Sequence, residues 1–133
     1  MKYIWSGISG IDKKTACETL QKHGSSSNEK TNIKFIHFEE IIKEISGCDD
    51  ITVLLNAYNY EYQKRAWMRA FEQVLQMEKE DESDITILCM HLIYFRNNKY
   101  FSLIDVNLLK EYNLDGFITF IDDIYLIKKR IML

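Results

Sequence analysis

Between residues 85 and 90 the chain reads ITILCM, a run of strand length with no charged side chain. A strand that faces water on one side alternates polar and apolar residues, whereas a strand covered on both faces does not. The run therefore calls for helices above and below it, and the flanking sequence offers them. Over residues 61–80, Trp67, Ala70, Phe71, Val74 and Leu75 recur at helical spacing and make one apolar stripe. The charge run at 78–82 reads as the solvated end of that helix.

Two more strands are expected earlier, at 2–6 and 33–38, from their aromatic and β-branched content. Each is followed by a helical segment. The first covers 13–23 and stops at Gly24, before the polar loop Ser25-Ser26-Ser27-Asn28, the expected mobile segment. The second covers 39–45, with Ile41, Ile42 and Ile45 on its apolar face and Gly47 at its end. Asp49 and Asp50 can cap a short segment at 51–55, whose type the sequence leaves open. Asn97-Asn98 between Tyr94-Phe95-Arg96 and Lys99-Tyr100-Phe101 reads as a small hairpin. Asp105 can cap a helix over 106–112, and residues 117–121 form a fourth strand of the main series. Asp122 and Asp123 then open a last helix carrying Lys128, Lys129 and Arg130.

Strands alternating with helices in this order specify a parallel α/β sheet with right-handed crossovers. At 133 residues the expectation is one domain, 1–133, with one core. A net charge of -3 gives no basic footprint for nucleic acid. No apolar run approaches the roughly 20 residues of a membrane span, and no signal-peptide h-region follows the start. Cys17, Cys48 and Cys89 are isolated and match neither a disulfide framework nor a zinc spacing. A reducing cytoplasm is the simplest setting for them.

The chemistry-bearing segment is WSGISGIDKKTAC, Trp5 to Cys17. A phosphate loop, G-x-x-x-x-G-K-[ST], sits between a strand and a helix and turns backbone N–H groups inward at the helix N-terminus. Gly7, Ser9, Gly10 and Lys13 keep much of that design, and the strand before and helix after supply its context. Two positions depart from it. Asp12 replaces the second glycine and would set a carboxylate near phosphate charge. Lys14 replaces the hydroxyl that holds magnesium, and Thr15, one residue on, is turned by about 100° around the helix. The competing reading is an ordinary Gly-rich strand–helix turn.

Other residues carry weaker signals. His91 follows the strand at 85–90, at the end where α/β proteins place ligands; a hydrogen-bonded structural histidine is the alternative. His37 ends its own strand on the same expected edge. Asp122 and Asp123 read as helix caps before metal ligands. Cys89 reads as an inert buried thiol before a reactive one. Tyr58, Tyr60 and Tyr62 would mark a partner surface if exposed.

From ITILCMHLIYFRNNKYFSLIDVNLLKEYNLDGFITFIDDIYLIKKR, taken with the opening loop, the chain resembles archaeal-type adenylate kinase and its small nucleotide-kinase relatives over roughly residues 2–131. Cys89-Met90-His91 stands where that family has Asp-Thr-His, and Ile121-Asp122-Asp123-Ile124 where it has Glu-Ala-Asp-Pro. The resemblance implies a three-layer P-loop NTPase-like parallel sheet of order 2-3-1-4-5 with helices on both faces. It implies that Gly7, Ser9, Gly10, Asp12, Lys13, Lys14 and Thr15 cradle the phosphates of ATP or another nucleotide. His91 would stand at the acceptor side and Arg130 would begin the lid. Several positions depart from the family. Cys89 replaces the carboxylate that supports magnesium, Lys14 replaces the magnesium hydroxyl, and only four arginines are present. The lid and the fifth strand would lie beyond Leu133, so the resemblance implies either the N-terminal part of a longer protein or a cut-down fold. The expected function is a nucleotide-binding sensor or regulatory module with altered catalysis. An active ATP-dependent nucleotide kinase, using Lys13 and His91, and a nucleotide-free scaffold are the rivals.

Overall fold

The structure, a computed structural model, describes residues 1–6, 13–26, 31–57, 59–96 and 99–119, together with Tyr125 and Lys129. β1 (Lys2–Ser6) leads across residues 7–12 into α1 (Lys13–Ser26). β2 (Ile33–His37) runs directly into α2 (Phe38–Ser46), followed by α3 (Ile51–Ala57) and the long α4 (Tyr60–Lys79). β3 (Ile85–Cys89) precedes a hairpin of β4 (Tyr94–Arg96) and β5 (Lys99–Phe101), then α5 (Val106–Tyr112) and β6 (Gly116–Thr119).

Four strands form one parallel sheet in the order β2-β3-β1-β6. Counted along the main series this is 2-3-1-4. The sheet alternation divides the core in two, because successive side chains leave a strand on opposite faces. Trp5, Ile87 and Cys89 meet Cys17 and Leu20 of α1 on one face. Ile4, Ile36 and Leu88 meet α2, α4 and α5 on the other, in the larger cluster. At the centre of that cluster Phe71 stacks on Trp67 (centroids 5.0 Å, 9°) and meets Phe38 at 6.1 Å and the edge of Tyr112 at 5.8 Å. Each such ring contributes about 2–3 kcal/mol by burial alone.

Local signals explain the helix limits. Asn59 caps α4, its side chain accepting from the Tyr62 N–H at 2.9 Å. Asp105 caps α5 by accepting from Leu108 N–H at 3.1 Å. Asp50 accepts from Thr52 N–H, and the ambiguous segment is the helix α3. Buried Gln63 of α4 donates to the carbonyls of Leu54 and Leu55, satisfying groups that the end of α3 leaves open. Gly47 ends α2 in the left-handed region at φ 71°.

Some expected limits shift. Gly24 lies inside α1, which continues to Ser26, so the cost of a helical glycine is carried and the expected loop starts later. β2 gives up Phe38 to α2, β3 ends at Cys89, and the last strand starts one residue early at Gly116, while its expected end at residue 121 lies outside the described residues. Leu75 is half-buried, while Gln63 and Ala66 join the buried stripe. β4 and β5 pair antiparallel as a hairpin around Asn97 and Asn98, which lie outside the described residues.

Candidate functional site at the carboxyl edge of the sheet

The four parallel strands end together. His37 stands beside Cys89, Cys89 beside Trp5, and Trp5 beside Ile118. The Met90 N–H donates to the Trp5 carbonyl at 3.0 Å, extending the β1–β3 ladder one residue beyond the strand. From here the two neighbouring strands send the chain apart. β1 exits toward the α1 face. β3 exits toward the face that carries Tyr94, Leu103 and Tyr112. Adjacent strands whose connections leave on opposite faces open a crevice at their carboxyl ends, the usual ligand position in an open α/β sheet.

His91 lies on the β3 side of that edge. Its Nδ1 abuts the Oε1 of Glu39, in the first turn of α2, and the contact is an ion pair whenever the ring is protonated. The imidazole also packs on Tyr94, with centroids 5.9 Å apart and tilted by 30°. Burial, and then the Glu39 carboxylate, raises the Tyr94 phenol well above its ordinary pKa, so Tyr94 acts as a neutral ring. His91 and Glu39 both keep partial exposure. A partly exposed imidazole beside a carboxylate is a group of the kind that takes part in acid–base chemistry.

Of the residues expected to cradle phosphate, Gly7, Ser9, Gly10 and Asp12 lie outside the described residues. Lys13, Lys14 and Thr15 form the first turn of α1. Topology thus puts the start of α1 and His91 on the two sides of the same crevice. His37, at the end of β2, is exposed. Asp122, Asp123, Tyr58 and Arg130 lie outside the described residues. Tyr60 and Tyr62 are exposed, and the Tyr60 hydroxyl donates to the Ser102 carbonyl at 3.1 Å.

Among the described residues no group of three or more His, Cys, Asp and Glu side chains could hold a metal ion. Cys89 carries no carboxylate, and its Sγ lies 3.6 Å from that of Cys17. A separate groove of about 320 Å³ between α4 and α5 is lined by Glu72, Glu78 and Glu111 against one lysine, Lys79, a net negative charge that disfavours phosphate. No described helix is long and apolar enough to cross a membrane.

Two features escaped the sequence reading. The pairing of Glu39 with His91 spans 52 residues of chain, and only the placement of Glu39 just after a strand hinted at it. The approach of Cys17 to Cys89 left no local signal. No family model matches the sequence, and no curated protein is detectably similar to it.

Proposed function

We propose that the chain is a nucleotide-binding module of P-loop kinase descent that acts as a sensor or regulatory unit. One observation carries this reading: the parallel order β2-β3-β1-β6, in which the strand before the Gly7–Lys13 segment is central and ends beside the divergent exit of β3. That is where the backbone of a loop and a helix N-terminus can receive a phosphate. Lys13, at the start of α1, supplies the cation. Lys14 and Cys89 stand where magnesium support would be needed, which favours binding over turnover.

The test is thermal unfolding against nucleoside mono-, di- and triphosphates, with and without magnesium. A nucleotide at 100 times its Kd adds about 2.7 kcal/mol, a rise of several degrees for a domain of this size. Lys13→Ala should abolish the rise. No rise with any nucleotide in either condition would end the reading.

The Glu39–His91 contact favours one second reading, an active kinase in which His91 handles the acceptor proton. That reading requires ADP formation from ATP that depends on an added acceptor and falls in His91→Gln.

A further inference from the structure

Two sulfur atoms meet on the α1 face of the sheet. Cys17, in the second turn of α1, and Cys89, the last residue of β3, hold their Sγ atoms 3.6 Å apart across 72 positions of sequence. Both are buried, at 4% and 7% exposure. A disulfide needs about 2.05 Å, so the pair stands roughly 1.5 Å from bonding distance. Rotation about the two Cα–Cβ bonds, or a small slide of α1, closes such a gap.

α1 carries one of the two sulfurs on the outer layer of the sheet. Among the described residues, its side chains in the apolar cluster on this face are Cys17 and Leu20. Glu18, Thr19, Gln21, Lys22 and His23 are exposed. A surface helix can open at a fraction of the global stability. That opening admits a small oxidant to sulfurs that are buried when the helix is closed. Cys48 belongs to the cluster on the opposite face and serves as an internal control.

We propose that Cys17 and Cys89 are a dithiol–disulfide pair, oxidised by hydrogen peroxide, that locks α1 onto the end of β3. One thiolate attacks a peroxide oxygen. The O–O bond breaks, hydroxide leaves, and the sulfur becomes a sulfenic acid. The second sulfur then attacks the first. The S–S bond forms, the S–O bond breaks, and the departing hydroxide takes the remaining thiol proton as water. The two sulfurs lose two electrons, and one peroxide becomes two waters. A reducing thiol reverses the change by exchange. The oxidation needs no bound nucleotide.

Trypsin separates the three cysteines, into peptides 15–22, 44–64 and 80–96. The folded, reduced chain is treated with one equivalent of peroxide, alkylated, digested and weighed. Peptides 15–22 and 80–96 should appear joined and two hydrogens lighter, with Cys48 alkylated and the chain monomeric. Tm should rise by about 10 °C, because a loop this long is closed, and should return with dithiothreitol. The rise should vanish in Cys17→Ala, but the wild-type mapping decides the question even if that variant does not fold. Three results overturn the proposal: Cys17 and Cys89 both remaining alkylatable, each forming its own sulfinic acid, or disulfides forming to Cys48 or to a second chain.

Discussion

Replacing Tyr112 by phenylalanine removes one oxygen atom from the interior. Tyr112 is fully buried, and its hydroxyl has no protein partner among the described residues. The ring's contacts, with Phe71 at 5.8 Å and with the Lys2 ammonium 5.1 Å above its centroid, do not involve the oxygen. A buried hydroxyl without a partner costs about 1–3 kcal/mol, so Tyr112→Phe should be more stable by about 1 kcal/mol at pH 8. With about 2.1 cal/mol/K of unfolding entropy per residue over 133 residues, this is a Tm rise of about 4 °C. The effect should grow with pH. Burial, then the Glu78 and Asp81 carboxylates, raises the Tyr112 phenol well above its ordinary value of 10.0. Above pH 10 the unfolded chain loses this proton while the native chain keeps it. Stability is therefore intact below pH 10 and falls above it, by about 1.4 kcal/mol per pH unit for each such tyrosine. Tyr112→Phe escapes that loss, and its advantage should widen to about 2.5 kcal/mol at pH 11. Urea titrations at pH 8 and 11, read by tryptophan fluorescence, measure both numbers. A variant less stable than wild type at pH 8 would show that the hydroxyl is hydrogen-bonded. An advantage equal at both pH values would show that it ionises in the native state.

Two other substitutions test the frame around the site. Phe71→Ala removes the ring shared by Trp67, Phe38 and Tyr112 and should cost about 3–5 kcal/mol, lowering Tm by well over 10 °C in a calorimetric scan. Gly47→Ala puts a side chain at φ 71° with nothing within 4 Å of the new Cβ. It should therefore cost about 1–2 kcal/mol through backbone strain alone, seen as a lower urea midpoint with an unchanged slope, and Gly47→Asn should cost less.

The sequence carried those parts of the fold in which neighbouring residues cooperate. The α4 stripe, the charge-free strand at β3, the hairpin about Asn97 and the cap at Asp105 are all short-range patterns, and each appears at or near its expected place. Where tertiary contacts compete with local preference, the limits moved. Gly24 stays helical in α1, and Phe38 leaves its strand to bury its ring against Trp67 at the start of α2. The cap of α4 was missed because Asn59 sits among tyrosines that hide the start of the apolar period. His91 was legible as a strand-end residue, but its carboxylate partner was not, since Glu39 reaches it only through the pairing of β2 with β3. Lys13 was legible only through its loop motif.

The position of β1 also sets an order of events during synthesis. It is made before its partners, for it pairs with β3, starting at Ile85, and with β6, starting at Gly116. Its flanks wait too: the N-terminal amine donates to the Asp84 carbonyl, and the Lys2 N–H donates to the Asp115 carboxylate. At about 5–20 residues per second, a ribosome takes several seconds to bring Ile85 within reach. During that interval α2, α3 and α4 can already pack on one another, while the strand destined for the middle of the sheet has neither neighbour. The nascent chain is thus assembled around a vacancy that β1 fills late, and until β3 emerges the hydrophobic side chains of β1 are the segment a chaperone would hold.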